Sequence, residues 1–304
     1  MKKILIFEYI TGGGLIEKKV DNSLLFEAEI ILNSLIETYN YEVNFFCDYR
    51  HRFRHKKDAI IVSNDNTEII YDSKFINKYD FYLPICPETH MIYYTYLKEI
   101  TDSVNNMNLS CAETIFATSD KLTFRQICNK KNISSPDSFD ISKRNQLYIE
   151  KDRTGCGCVN TRIIKEKRTD TKDKITEKYI PGQSYSVSLY ISHKSYNIMS
   201  INKQIIQKIN NSIKLKALLV NIYPSFRDHL FHFIDNILNV FPNLRGFVGL
   251  DFIEYKGELF LIEINPRYTT SMSLIERCKK KHPLDYKYKK TNDYAGKSCQ
   301  LKLI

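Results

Sequence analysis

The chain has 304 residues, room for about two domains at roughly 150 residues each, with 43% hydrophobic and 26% charged residues. These values exclude the disordered and fibrous classes, and no apolar run approaches the roughly 18 to 20 residues of a membrane span. The formal net charge of +10 gathers around residues 50–57, 165–174 and 279–290. Such clusters could track nucleic acid, but lysine is abundant throughout, so a solvated basic surface that attracts anionic nucleotides is preferred.

Residues 1–7 (Met1-Lys2-Lys3-Ile4-Leu5-Ile6-Phe7) have the basic and apolar parts of a signal peptide. Glu8 interrupts them and no small-residue cleavage site follows, so a first strand and a cytoplasmic protein are expected. The strand runs into Thr11-Gly12-Gly13-Gly14 and then a helical pattern over 23–39, with Leu24, Leu25, Ala28, Ile31, Leu32, Leu35 and Ile36 on one face. Strands are expected at 41–46, 59–62, 68–71 and 80–85, the last entering Pro87-Glu88-Thr89, with a helix over 90–100. This β/α alternation to about residue 115 suggests an open sheet with ligand-binding loops at its strand ends.

A helix begins at Ser119, carries Leu122, Ile127 and Cys128, and ends near Asn132 with Pro136 beyond. A strand over 146–151 enters Asp152-Arg153-Thr154-Gly155-Cys156-Gly157, a flexible glycine turn. The eight cysteines are scattered apart from Cys156 and Cys158, which argues against a disulfide framework, and one Cys-x-Cys is a weak metal signal. Strands follow at 175–180, closed by Pro181-Gly182, and at 185–191; an amphipathic helix spans 227–241. Residues 247–255 and 258–264 form a hairpin about Lys256-Gly257.

That hairpin carries the chemistry. Alternation puts Asp251 and Ile253 on one face of the first strand, and Leu261, Glu263 and Asn265 on one face of the second. Magnesium wants hard oxygen ligands and shares its shell with substrate phosphates, which Asp251, Glu263 and Asn265 together could satisfy. Arg267 adds a fixed fork of donors for a phosphate or carboxylate. A hairpin with a polar wet face is the alternative, but Glu263 lies between Ile262 and Ile264 and precedes Asn-Pro, an unexpected place for a merely solvated carboxylate.

The segment Asp251…Glu263-Ile264-Asn265-Pro266-Arg267 resembles the metal-binding signature of the ATP-grasp superfamily, and other landmarks follow in order. Ser119-Asp120-Lys121 resembles the entry to the central subdomain, whose lysine contacts ATP phosphates. Glu150-Lys151 with Gly155 and Gly157 resembles the second phosphate lysine and its glycine loop. Glu177-Lys178-Tyr179-Ile180-Pro181-Gly182 resembles the hinge that binds adenine through Glu177 and the backbone around Lys178 and Ile180. The acidic residue often found after the hinge to hold ribose would fall at Gln183 or Ser184, so a hydroxyl or amide would replace it. Lys151 precedes Asp152 where the family has proline, and the stretch to Glu177 is short, which implies a trimmed lid.

The resemblance implies an α/β (α+β) ATP-grasp fold: a Rossmann-like pre-ATP-grasp domain over 1–115, a central lid subdomain over 116–190, and a C-terminal subdomain with the metal site over 191–304. It implies ATP with Mg2+ or Mn2+, small acid and amine substrates, and activation of a carboxylate as an acyl phosphate, with Lys151 and Arg267 as catalytic residues. Ile6-Phe7-Glu8-Tyr9, Pro87-Glu88, Ser200-Ile201-Asn202-Lys203-Gln204 and residues 265–271 further resemble the group that makes the γ-glutamyl amide of tyramine in methanofuran biosynthesis. Glu8, Glu88 and Asn202 are then substrate-side candidates, with Glu8 or Glu88 meeting an ammonium, unless those carboxylates merely cap strand ends. Another amino-acid or peptide ligase of the family, or a non-catalytic nucleotide- or nucleic-acid-binding module, are the alternatives. Homodimerisation stays open, and no membrane partner is expected.

Overall fold

From Ile4 onward every residue of β1 (Lys2–Glu8) except the strand's exposed start is buried, as a central parallel strand covered on both faces requires. The computed structural model describes residues 1–139, 146–193, 195–288 and 296–303. In it β1 pairs in parallel with β2 (Tyr41–Asp48), which pairs with β3 (Ala59–Val62), while β4 (Phe81–Ile85) lies on the other side of β1. On one face sits α1 (Asn22–Ile36), whose N-cap Asp21 accepts from the Ser23 N–H at 2.8 Å and whose Ile31, Leu32 and Leu35 pack with Ile4 and Ile6. The other face packs Leu5 and Phe7 with Ile76 of α2 (Ser73–Ile76) and with Tyr93, Tyr96 and Leu97 of α3 (Ile92–Ile100).

One expectation fails here for a local reason. Residues 68–71 belong to a 3-10 helix (Thr67–Tyr71) rather than a strand, because Asp72 next to them caps α2, accepting from Lys74 N–H at 2.9 Å and Phe75 N–H at 3.1 Å. The helix expected from Ser119 is α5 (Lys121–Lys130), and it is preceded by α4 (Ala112–Ser119), which has no counterpart in the sequence reading. Asp120 divides them: its backbone is extended and its carboxylate accepts from the Thr123 N–H at 2.8 Å, capping α5.

The second sheet collects β5 (Tyr148–Asp152), β6 (Arg162–Ile164), β7 (Lys174–Lys178), β8 (Gln183–Ile191), β9 (Tyr196–Ile209), β10 (Ser212–Val220), β11 (Gly246–Tyr255) and β12 (Glu258–Asn265). Its order is β12-β11-β8-β9-β10-β6-β5-β7, and β13 (Cys299–Lys302) pairs with β10. The strands β9 and β10 have no counterpart in the sequence reading: residues 197–202 are buried on both faces, so no alternation marks them. Helix α6 (Arg227–Val240) lays Leu230, Ile234 and Ile237 on Val187, Leu189, Val248 and Leu250. The chain closes with α7 (Ile275–Lys279) and α8 (Asp285–Tyr288); Lys289 and Lys290 of the basic cluster lie outside the described residues.

One core joins the sheets, because Ile4 and Ile6 pack in the same cluster as Tyr190, Phe247, Tyr268 and Met272. Gly246 lies at this seam with φ +71°, and a Cβ there would sit 2.2 Å from the Asn108 carbonyl oxygen. Residue 115, the expected end of the first region, lies inside α4, and residue 190 lies near the end of β8, which pairs with both β9 and β11. No helix among the described residues is long and apolar enough to cross a membrane.

Phe252 is the packing centre of the hairpin's apolar face, touching the rings of Tyr185, Phe226 and Phe233. Phe252→Ala should lower unfolding free energy by about 3–5 kcal/mol in urea titrations, through lost burial and the cavity left behind. A loss under about 1 kcal/mol would mean the cluster repacks.

Candidate active site

The β11–β12 hairpin sets the geometry. Asp251 pairs with Glu263 and Gly249 with Asn265, but Phe252 pairs with Leu261, so Ile262 is an extra residue on β12. This bulge corrects the expected alternation. Leu261 turns into the apolar core with Leu259 and Ile264, whereas Ile262 packs with Phe260 on the opposite side. The faces exchange at the bulge, so Glu263 and Asn265 leave Leu261's face and join Asp251. The Asn265 amide donates to Asp251 Oδ2 at 3.1 Å, and Gln204 of β9 donates to Asp251 Oδ1 at 3.0 Å. Burial, and then the Glu263 charge, raise the Asp251 carboxyl to about 7, against the lowering effect of these donors and of Arg267.

Lys121 enters from the first turn of α5. Its Nζ lies 3.1 Å from Glu263 Oε1 and donates to the Gly155 carbonyl at 2.5 Å. Burial alone would lower this ammonium, but Glu263 beside it, with Glu88 and Glu177 further off, raises it. Lys151 and Glu177, diagonal neighbours in the β5–β7 pairing, which sets Lys151 opposite Ile175 and Glu177 opposite Ile149, form a buried ion pair at 2.7 Å. Lys178 points away, its Nζ donating to the Asp137 and Phe139 carbonyls at 2.9 and 2.7 Å, which leaves its backbone as the part facing the hinge. Ile180 is buried, and Ser184 lies on β8 opposite Ile253.

Arg267 holds the other end. Its Nε and Nη2 donate to the two oxygens of Glu88 at 2.8 Å each, a fork-on-carboxylate pair. Burial opposes the guanidinium charge, yet Glu88, followed by Cys156 and Glu263, raises its affinity for the proton. Glu88 is therefore spent on Arg267 rather than standing free for an ammonium. Glu8 is spent as a strand-end cap, its Oε2 accepting from Thr11 N–H and Thr11 Oγ1 at 2.7 Å, and burial raises its carboxyl. Asn202 is fully buried: its amide donates to Ser186 and Ser188 at 3.2 Å, and Ser188 meets Ser271 at 3.0 Å. It braces the segment after Arg267 from beneath instead of facing a substrate.

Several neighbours escaped the sequence reading. Gln204 lies two residues beyond Asn202 on the same strand face, so period-two spacing could have found it. Glu27 of α1 accepts from Thr270 at 3.1 Å and feels the Arg267 charge; burial raises its carboxyl. Arg153 donates to Asp120 at 2.7 Å and its carbonyl accepts from the Lys121 N–H at 3.0 Å, which pins the glycine loop to α5. Cys156 lies 3.7 Å from Thr89 Oγ1, and Cys158 lies in the field of Glu263 and Asp251; burial pushes the Cys158 thiol up to about 12. The loop thus closes over the hairpin with its thiols protonated. Among the described residues no group of three or more His, Cys, Asp or Glu is arranged to hold a metal alone. Two carboxylates and a carboxamide fit a magnesium-type ion only if phosphate oxygens and water complete the shell.

Residues 118–271, from the end of α4 through Ser271, match the ATP-grasp domain model. The chain belongs to the ATP-grasp family. Its enzymatic class is that of ATP-dependent carboxylate–amine ligases. It is 27% identical over 278 residues to the tyramine–L-glutamate ligase of Methanocaldococcus fervens, covering 88% of each chain. To the tyramine–L-glutamate ligase of Methanocaldococcus jannaschii it is 25% identical over 275 residues, 88% of this chain and 83% of that one. The crystal structure of an ATP-grasp superfamily protein from Archaeoglobus fulgidus superposes with a TM-score of 0.75 at 23% identity, covering 94% of this chain and 87% of that one. The mixed α/β architecture, with its parallel N-terminal sheet and curled antiparallel sheet, is the ATP-grasp fold.

The Glu88–Arg267 pair is 1% and 13% exposed at its side chains, so neither charge has water to fall back on. Glu88→Ala should cost about 3–5 kcal/mol of unfolding free energy, because it strands a buried guanidinium. Pairing it with Arg267→Met should recover much of that loss in a double-mutant cycle. Equal and additive losses would show that the pair is not coupled.

Proposed function

We propose that the chain joins tyramine to the γ-carboxylate of L-glutamate, using ATP to form a γ-glutamyl phosphate that the amine then displaces. One observation carries the phosphoryl-transfer half of this reading. Lys121 meets Glu263 across from Asp251, with Arg267 two residues beyond Asn265, so cation and carboxylate alternate around one small volume. The named substrates of the two Methanocaldococcus relatives support the acid and the amine.

On this reading Lys121 and Lys151 take ATP phosphate oxygens, while Glu177 and the backbone of Lys178 and Ile180 meet the adenine edge. Ser184 stands where a ribose-binding acid is common and offers a hydroxyl. Asp251, Glu263 and Asn265 hold Mg2+ or Mn2+. A divalent cation bound there would draw charge from the bridging phosphate oxygens. Arg267, oriented by Glu88, positions the transferring phosphoryl group or the acceptor carboxylate. The protein needs no nucleophile of its own; its task is to align donor and acceptor and to neutralise charge as the acyl phosphate forms. Water must be kept from that intermediate, and the glycine loop pinned by Arg153 and Lys121 provides the cover.

Phosphate release from ATP with purified protein should need both glutamate and tyramine. Glu263→Ala should reduce it at least about a hundredfold, the scale on which removal of charge stabilisation slows catalysis. Release with glutamate and a different amine, but not with tyramine, would discard the amine and keep the ligase class. Undiminished release in Glu263→Ala would discard the site.

The Asp251 proton also competes with the cation. With that carboxyl raised to about 7 it is ionised above that pH, and below it each unit removes up to tenfold of cation affinity. Mn2+ titrations followed by paramagnetic resonance should therefore show binding on the order of tenfold weaker at pH 6 than at pH 8. Asp251→Asn should bind weakly with little pH dependence; a wild-type affinity equally flat over this range would rule the competition out.

A further inference from the structure

Far from this site, at the C-terminal edge of the second sheet, β13 brings Cys299 to Cys278 of α7. The Cys278 side chain is buried with Leu218, Val220 and Leu274, and Cys299 packs against that cluster. The Cys278 thiol donates to the Val220 carbonyl at 3.8 Å. Register agrees, since Val220 is the β10 residue opposite Cys299. Backbone contacts hold the approach: Lys297 N–H donates to the Cys278 carbonyl at 3.1 Å, and Gly296 runs close beneath that carbonyl.

Cys278 is buried, whereas Cys299 is half-buried. Cys299 lines an open cavity of about 440 Å³ together with Arg277, Lys280, Lys297, Ser298 and Gln300. Arg277, Lys280 and Lys297 are exposed and give this cavity a positive lining. Burial holds the proton on Cys278, pushed up to about 12, so Cys299 is the sulfur that attacks and Cys278 the one that resolves.

We propose that Cys278 and Cys299 form a thiol pair that small anionic disulfides oxidise to an intramolecular disulfide, the cavity's cations receiving the anionic groups. The Cys299 thiolate attacks one sulfur of the small disulfide, forming a mixed disulfide and expelling one thiolate, which takes up a proton. Cys278 then attacks the Cys299 sulfur, forming the Cys278–Cys299 bond and expelling the second thiolate. Two protein thiols lose two electrons and two protons, and the small disulfide leaves as two thiols. The product ties β13 to α7, the helix that follows the Thr270–Leu274 turn next to the active-site segment.

The test treats the full chain with oxidised glutathione and, separately, with the cationic disulfide cystamine. Oxidised glutathione should remove two hydrogens from the intact mass, link the peptides bearing residues 278 and 299, and raise the thermal midpoint. Cys278→Ser should stop at one glutathione on Cys299, and Cys299→Ser should leave Cys278 unmodified. Arg277→Gln with Lys297→Gln should slow the glutathione reaction by on the order of tenfold without slowing cystamine, as expected where local charge steers an anion. Linkage to a different cysteine, or Cys278 and Cys299 both alkylatable after treatment, would overturn the thiol pair. Equal slowing of both reagents in the charge variant would overturn the role of the cations.

Discussion

Charge cannot stay unpaired where water is excluded, and the arrangement of this active site follows from that constraint. Lys121 closes on Glu263, Lys151 on Glu177, and Arg267 on Glu88, each pair within 3.1 Å. Each links segments distant in sequence: α5 to β12, β5 to β7, and the loop after β12 to the loop after β4. The pairs therefore do two things at once. They satisfy cations that would otherwise lie stranded in a low dielectric, and they hold the parallel sheet and both ends of the antiparallel sheet around one cleft. On the proposed reading a metal–polyphosphate can enter by partner exchange, its phosphates taking the lysines while its cation takes the carboxylates, so little net charge is left uncompensated at any stage.

What the sequence disclosed follows the range of its signals. Period two gave the hairpin and brought Asp251 near Glu263 and Asn265, because alternation is local. It failed at Ile262, where one extra residue exchanges the faces of β12, and no composition marks that position as a bulge. The strand β9 was hidden for a different reason: Ser200 and Asn202 are polar yet buried, Asn202 bonding Ser186 and Ser188 of β8, so the segment reads as a loop. Helix α5 was found, with Asp120 at its start, whereas α4 immediately before it was missed.

Contacts between distant segments were beyond reach. Nothing local to Arg267 announces that Glu88, 179 positions earlier, will take both of its forks. The contact of Glu8 with Thr11, three residues on, is local by contrast, and fits the strand-end cap that the sequence left open for it. Residue type and order could nominate these side chains; only the packing of β1 and β4 against the segment after β12 decides which carboxylate is spent and on what.

The charged side chains are ordered along the site even though most of them are paired. At the β5–β7 end lie Lys121 and Lys151; at the β1–β4 end lie Glu8, Glu27 and Glu88, with Arg267 and Glu263 between them. On the proposed reading the reactants meet between these pairs, and exchange of partners keeps the net charge there small. The junction is where bonds would have to change, and there the charges are already fixed by Glu88 on one side and Lys121 on the other. Such groups need little reorganisation as charge moves from phosphate to acyl phosphate to amide, which is the condition under which electrostatic stabilisation lowers a barrier instead of merely tightening binding.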